Sequence, residues 1–215
     1  YESTTFPNSF KSNANLAGIV FPQNVTATAS AAFQKTGMTS VTVLKDISYG
    51  SNAFDSCASL VSVTVEEGVT EIGNYMFQNT KLTDVTLPNS VTKIGASAFN
   101  GCSLTTINFG QGVKTIENSA FQNCGELTEI ILPDATETLG QNAFGDCPKL
   151  AKISLGKNMK TLEAYCFVGY SKGCPLLGDI ICRATTPPTL KDDYGTGPFC
   201  LLYTSPSPRD TERSR

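Results

Sequence analysis

The stretch Leu82 to Cys102, LTDVTLPNSVTKIGASAFNGC, decides the fold of this chain because most of the remaining sequence repeats it. Its apolar residues are spaced neither for one long helix nor for one long strand. The first six residues alternate as in a strand with one buried face. Pro88 ends that strand, since proline has no N–H to donate to a sheet. We predict that Val91 to Phe99 forms a turn and a short helical segment.

A phenylalanine marks each copy of this repeat. Seven of them stand at intervals of 21, 23, 22, 22, 23 and 23 residues: Phe33, Phe54, Phe77, Phe99, Phe121, Phe144 and Phe167. An apolar pair with the spacing of a short strand recurs eight times at the same step, from Ile19/Phe21 to Ile180/Cys182, so eight strands are predicted. A fixed period of this length predicts a solenoid whose coils bury their apolar faces against each other. The last six phenylalanines, from Phe54 to Phe167, are its predicted structural core.

The extent of the repeat divides the chain into three segments. Residues 1–15 are polar and lack the period, and we interpret them as a frayed cap or the remnant of an earlier repeat. Residues 16–199 are predicted to form a solenoid of about seven to eight coils, and residues 200–215 belong to no coil. The chain opens at Tyr1 without a methionine or a signal-peptide pattern. We therefore expect its start to be processed or missing.

Three coils depart from the repeat: the first is degenerate, with Thr28 in place of an isoleucine, and the second and seventh differ in length. We number the coils by their phenylalanines, so that coil 1 contains Phe33 and coil 7 contains Phe167. Coil 2 is shortened by one or two residues around Ile47 to Gly50, and Tyr49 takes the position of an isoleucine. Coil 7 carries an insertion of about four residues after its phenylalanine.

Glycines mark the corners of the predicted coils. Gly73, Gly95 and Gly140 follow the apolar residue that closes each turn. We expect a left-handed backbone at these positions, because only glycine adopts it at little cost.

Composition argues against several function classes. A formal net charge of −3 with 16% charged residues gives no basic surface for nucleic acid or an anionic membrane. No apolar run approaches the roughly 20 residues that span a bilayer. The absence of histidine removes the usual general base and the Ser-His and Cys-His nucleophile pairs. The carboxylate pairs Glu66/Glu67 and Asp192/Asp193 are interpreted as solvated turns. We expect no catalytic residue and no cofactor.

The eight cysteines invite a chemical interpretation, but their positions favour a structural one. Cys57, Cys102, Cys124 and Cys147 each stand three residues after a repeat phenylalanine, and Cys174 takes the same position once the insertion is allowed for. Cys166 and Cys182 also occupy repeat positions. Each is predicted to be a small buried filler, as free cysteines commonly are. No two lie at the spacing of structural zinc ligands, so no metal site is expected. Strands stack at about 4.8 Å, which permits disulfides between neighbouring coils without requiring them.

The repeat string L-x-x-V-x-L-P-x-x-V-x-x-I-G-x-x-A-F-x-x-C and the terminal A-T-T-P-P-T-L resemble the BspA-type leucine-rich repeats of bacterial and protist surface proteins. The resemblance extends from Leu16 to about Phe199. It implies a right-handed solenoid of the leucine-rich-repeat type, with one parallel β-sheet along one side and short helical or 3-10 turns. It also implies extracellular display, in some cases as an adhesin.

The last residues resemble something different. Cys200 to Asp210 is similar to the translation of a sequencing adapter, so the native reading frame is expected to stop short of the true C-terminus. The alternative is a native disordered tail rich in serine, proline and arginine.

The exposed side of the predicted strands is the remaining candidate site. Its central side chains are mainly polar and form a possible ligand face: Thr42, Thr64, Thr86, Asn108 and Ser154. Ile131 and Ile181 interrupt this row. Threonine is also simply a good strand former, which is the structural alternative.

The first hypothesis for function is a non-catalytic protein-interaction or adhesion module at a cell surface, with a protein or glycan ligand. The second is a cytoplasmic scaffold, or the recognition region of a larger signalling protein.

Overall fold

The computed structural model describes residues 4–168 and 173–191. They form a parallel β-solenoid of about seven turns, which confirms the predicted fold class. The predictions for Asp192/Asp193, for Cys200 and for the tail of residues 200–215 lie outside the described residues.

One strand of each regular coil lies on the same side of the molecule, and we call these the face strands. Numbered in chain order with all other strands, they are β3 (Ser40–Val43), β4 (Ser62–Val65), β6 (Asp84–Thr86), β8 (Thr106–Asn108), β10 (Glu129–Ile131), β12 (Lys152–Leu155) and β14 (Asp179–Cys182). They pair in parallel and in register, because each coil repeats the last at a nearly constant length. The pairing is interrupted twice, giving the groups β3-β4, β6-β8 and β10-β12-β14.

A second parallel sheet replaces the predicted helical turns. Its six members are two-residue lateral strands: β5 (Glu71–Ile72), β7 (Lys93–Ile94), β9 (Thr115–Ile116), β11 (Thr138–Leu139), β13 (Thr161–Leu162) and β15 (Thr189–Leu190). Residues 4–168 and 173–191 contain no helix, so the helical prediction for Val91 to Phe99 is wrong. The Gly95 N–H donates to Ile72 O at 2.8 Å, and the Glu117 N–H donates to Ile94 O at 2.9 Å. Bonds to both neighbouring coils thus pair the lateral strands, and the local bonds are single turns such as Ala98 N–H to Gly95 O at 3.2 Å.

The predicted strand at Ile19 and Phe21 is absent. Residues 17–26 contain no strand, and Val20 between them is 91% exposed. Gly18 and Pro22 enclose a run of only three residues, and proline cannot donate to a sheet. The chain before coil 1 nevertheless packs onto it. There, β1 (Thr5–Phe6) pairs with β2 (Ala27–Thr28), and the Phe6 ring lies 5.5 Å from that of Phe33.

The left-handed backbone lies at other positions than predicted. Gly73, Gly95 and Gly140 have no positive φ. Two left-handed residues instead flank each regular phenylalanine, such as Ser97 (φ 53°) before Phe99 and Gly101 (φ 72°) after it. The left-handed position two residues before the phenylalanine is held by non-glycine residues in the other coils as well: Ala31, Asn52, Tyr75, Ser119, Asn142 and Tyr165. The paired corners turn the chain around the phenylalanine.

The phenylalanines form a stacked column along the interior of the solenoid. Centroids of Phe121 and its neighbours Phe99 and Phe144 are each 5.2 Å apart, with interplanar angles of 6° and 4°. The six predicted core rings are all buried, at 0% exposure except for Phe167 at 2%. Leucines, valines and isoleucines of the face and lateral strands surround the column. The core is therefore continuous from coil to coil.

Candidate functional site

The central side chains of the face strands form a row across the molecule, and we call this row the strand face. Thr42, Thr64, Thr86 and Asn108 are exposed, and Ser154 is half-buried. Register places Thr42 opposite Thr64 and Thr86 opposite Asn108. The five predicted residues thus lie on one side, but in three groups separated by the two interruptions of the sheet.

The strand face changes character along the solenoid. On β10, β12 and β14, Ile131 lies opposite Ser154, which lies opposite Ile181. Ile131 is 60% exposed and Ile181 is 45% exposed. Beside them, Lys152 and Glu129 form an ion pair at 2.8 Å, and the hydrogen bond to Glu129 raises the pKa of Lys152. The first coils present hydroxyl groups, whereas the last coils present apolar and charged groups.

A cleft of about 360 Å³ opens between the ends of β8 and β10. Its lining is apolar on one side and polar at the rim: Ile107, Phe109, Ile131, Leu132 and Pro133, with Asn108, Gly110, Gln111, Asp134 and Arg183. This volume falls within the range of small-ligand sites, about 300–1,000 Å³. The cleft adjoins Asn108 and Ile131 of the strand face.

Arg183 reaches back over two coils to this cleft. Its Nε donates to Leu155 O at 3.2 Å, and its Nη2 donates to Leu132 O at 3.0 Å and contacts Asp134 Oδ1 at 3.2 Å. The pKa of Asp134 is lowered, first by its bond with Lys157 and also by the charge of Arg183. Sequence reasoning missed Arg183. The available signal was a basic side chain where other coils have Pro88 or Gly156 directly after the strand.

A second cavity, of about 520 Å³, lies between coils 2 and 3. Tyr49 replaces the isoleucine of a lateral strand here. Its hydroxyl accepts from the Leu44 N–H at 3.2 Å and donates to Thr42 O at 3.5 Å, and burial raises its pKa. Among residues 4–168, no backbone hydrogen bond joins residues 44–50 to residues 67–73, so the lateral sheet begins only at β5. The shortening of coil 2 explains this gap.

The cysteines form a hydrogen-bonded ladder in the interior. Five of the seven described thiols donate to the carbonyl oxygen of the phenylalanine one coil earlier. The distances are 3.1 Å for Cys57 to Phe33, 3.1 Å for Cys102 to Phe77, 3.3 Å for Cys124 to Phe99, 3.3 Å for Cys147 to Phe121 and 3.2 Å for Cys174 to Phe144. Burial raises the pKa of Cys102 to about 11, so its thiol stays protonated at neutral pH. The described cysteines are free thiols.

Two cysteines are less buried than predicted. Cys174 is half-buried and Cys182 is exposed, so the assignment of every cysteine as a buried filler is wrong for these two. Cys182 ends β14, the outermost strand of its group among the described residues. No described strand packs beyond it.

Within residues 4–168 and 173–191, no group of three or more histidine, cysteine, aspartate or glutamate side chains is arranged to hold a metal ion. Glu67 is exposed, while Glu66 is half-buried and accepts the Lys45 N–H at 2.9 Å, a structural contact. The same part of the chain contains no helix long and apolar enough to cross a membrane.

The recurrence of this coil along the chain is matched by the model of a known family. Residues 3–49 and 47–173 match the BspA type leucine rich repeat region, in six copies. The chain belongs to the BspA-type leucine-rich repeat family. The resemblance seen in the sequence is thereby confirmed. No curated protein matches the chain.

Solved structures of other bacterial leucine-rich proteins resemble this BspA-type chain. A leucine rich cell surface protein from Faecalibacterium prausnitzii is 23% identical with a TM-score of 0.59, covering 76% of this chain and 53% of that one. A leucine rich repeat protein from T. pallidum is 24% identical with a TM-score of 0.48, covering 73% of this chain and 63% of that one. A leucine-rich repeat protein from Eubacterium ventriosum is 17% identical, with a TM-score of 0.42 and coverage of 89% and 71%. The chain thus spans about half of the F. prausnitzii protein, and that likeness shows the fold alone.

Proposed function

We propose that this BspA-type repeat protein is a non-catalytic interaction or adhesion module that binds a protein or glycan through the strand face, at a cell surface. The observation that carries the proposal is the row of Thr42, Thr64, Thr86 and Asn108, exposed on regularly spaced strands above a rigid core. A solenoid offers such an extended surface without needing a pocket. The absence of histidine from the sequence supports a role without acid–base catalysis.

Surface display is supported by the family and by the printed description of the F. prausnitzii relative as a cell surface protein. The alternative is a cytoplasmic scaffold or the recognition region of a larger signalling protein. The free and mostly buried thiols suit a reducing compartment as well as an oxidising one. Sequencing the gene on both sides of the coils separates the two. An export signal with an anchor supports display, whereas fusion to a cytosolic signalling domain contradicts it.

Binding is tested on a panel of purified extracellular matrix proteins and on a glycan array. The face variant is Thr64→Lys with Thr86→Lys, which adds bulk and charge to the centre of the strand face. The matched control is Thr70→Lys with Thr92→Lys, two exposed threonines beside the lateral strands. We expect a ligand whose binding is lost in the face variant and kept in the control. Equal losses in both variants, or no ligand at all, would overturn the proposal.

A further inference from the structure

The cleft between β8 and β10 lies where the strand face is interrupted. These strands follow each other along the face but do not pair, although the lateral strands of the same coils, β9 and β11, do. The solenoid is therefore open on the face and closed at the side. Backbone groups at the end of β8 border an open space of about 360 Å³ rather than a neighbouring strand.

One wall of the cleft is apolar and exposed to water. Ile131 is 60% exposed at a position where five other coils carry threonine, asparagine or serine and the last carries Ile181. Phe109 and Leu132 lie behind it and are buried. Burying exposed apolar surface is favourable, so this wall suits an apolar side chain of a ligand.

The rim of the cleft supplies a prearranged cation. Arg183 is fixed by the carbonyls of Leu132 and Leu155, which belong to two different coils. Its Nε and Nη2 atoms make these bonds and the contact to Asp134. The two N–H groups of Nη1 have no acceptor among the described residues. A guanidinium held in this way can bind a carboxylate with little further loss of conformational freedom.

The charges around Arg183 favour an anion. Asp134 is shared between Arg183, at 3.2 Å, and Lys157, at 3.0 Å. Two positive charges therefore face one negative charge, which leaves a local excess of one positive charge. The exposed amide of Asn108 lines the same cleft. Its Oδ1 accepts the Gly110 N–H at 3.0 Å, so the group that it offers to a ligand is its NH₂ donor.

From these observations we propose that the cleft is an anchoring subsite for a peptide segment in which a carboxylate neighbours an apolar side chain. The apolar side chain packs against Ile131, and the carboxylate binds the free edge of the Arg183 guanidinium. This inference rests on the proposed function, since it names the partner of the same face as a peptide rather than a glycan. It adds an anchoring point at coils 5 and 6 to the surface that the threonines of coils 2 to 4 form.

The test uses two probes that differ only in charge, N-acetyl-L-leucine and N-acetyl-L-leucine amide. Each is titrated into the isotopically labelled protein in the millimolar range, and amide chemical shifts are followed by NMR. We expect shift changes at Asn108, Ile131 and Arg183 with the carboxylate. The amide should bind about tenfold more weakly, because hydrogen bonds to charged groups contribute more than neutral ones.

Three variants test the two parts of the subsite. Ile131→Thr restores the residue type of the neighbouring coils and should weaken binding of the carboxylate probe at least about fivefold. Ile181→Thr, two strands away, is the matched control and should leave binding unchanged. Arg183→Lys keeps the charge but loses the planar fork, and it should reduce the preference for the carboxylate over the amide. Denaturation curves of all three variants show whether the fold is kept.

Equal binding of both probes, or an unchanged affinity in Ile131→Thr, would overturn the peptide subsite. Binding of neutral oligosaccharides at the same residues would overturn it in favour of a glycan site. These outcomes are distinct from failure of the proposed function, which is judged by the lysine variants of Thr64 and Thr86 with whole ligands. If the strand face binds matrix proteins but neither probe binds the cleft, only this inference is refuted.

Discussion

Each coil contributes one phenylalanine ring to a stack that runs through the solenoid. Phe121 shows why this residue type is needed, since it lies parallel to Phe99 and to Phe144 at 5.2 Å on both sides. It also meets Phe109 edge-to-face at 5.6 Å. Offset-stacked and edge-to-face pairs are the favourable aromatic geometries. A ring in this position links three coils at once.

Replacement of Phe121 by alanine should therefore reduce the free energy of unfolding by about 3–5 kcal/mol, because it leaves a large cavity in a packed column. The control is Thr86→Ala on the strand face, which should change stability by no more than about 0.5 kcal/mol. Urea denaturation measures both. A Phe121→Ala protein that loses less than the threonine variant would show that the stack does not stabilise the fold.

At the scale of the element, the lateral strands set how closely successive coils approach. A Cβ added to Gly95 would lie 2.5 Å from Asn74 Oδ1 and 2.9 Å from Asn74 N of the preceding coil. That Oδ1 already accepts the Ala96 N–H at 2.9 Å. Glycine is thus required here for close approach and not for a left-handed backbone. The predicted reason was wrong, although the position was correctly marked as special.

We expect Gly95→Ala to cost about 1–3 kcal/mol of stability, as overpacking typically does. Gly125→Ala is the matched control, because an added Cβ at Gly125 meets no atom within 4 Å. That variant should be neutral within about 0.5 kcal/mol. Thermal and urea unfolding give the comparison. Similar losses at both positions would contradict the crowding at Gly95.

At the scale of the whole molecule, stability is expected to follow the contacts between neighbouring coils, as in other repeat arrays. Neighbouring coils are joined by bonds on the face, at the lateral sheet or around the phenylalanine, and the face pairing is interrupted twice. Between coils 2 and 3 the lateral bonds are missing, and a cavity of about 520 Å³ takes their place. The contacts between coils are therefore not uniform along the solenoid. The weakest lateral contact lies between coils 2 and 3 and not at an end of the array.

Amide hydrogen exchange should detect this interface. The Thr92 and Gly95 N–H groups donate to Thr70 O at 2.9 Å and Ile72 O at 2.8 Å, and they should exchange slowly. The equivalent Thr70 and Gly73 N–H groups, one coil earlier, have no acceptor among the described residues. They should exchange faster by at least about tenfold, since exchange requires no breaking of a bond. Equal protection of the two pairs would mean that the lateral sheet continues across coils 2 and 3 in solution.

Much of the fold was predictable because the same apolar spacing recurs in several coils. One degenerate coil matters little when the spacing of Phe54, Phe77, Phe99 and Phe121 agrees. The candidate site was less accessible. Thr42, Thr64, Thr86 and Asn108 were placed on one side by strand alternation alone, but Arg183 was not connected to Leu132. These two residues are 51 positions apart and meet only across stacked coils.

The sequence by itself determined the period, the identity of the inward positions, the phenylalanine column and the family, because apolar spacing and residue volume are local properties that recur in every coil. Only the tertiary structure decided that the turns are a second parallel sheet, since two-residue strands such as Lys93–Ile94 are stabilised by hydrogen bonds to the coils on both sides. It alone also decided where the stacking is incomplete. The cleft at Ile131 depends on whether the face strands of neighbouring coils pair, and the sequence of one coil does not determine that pairing.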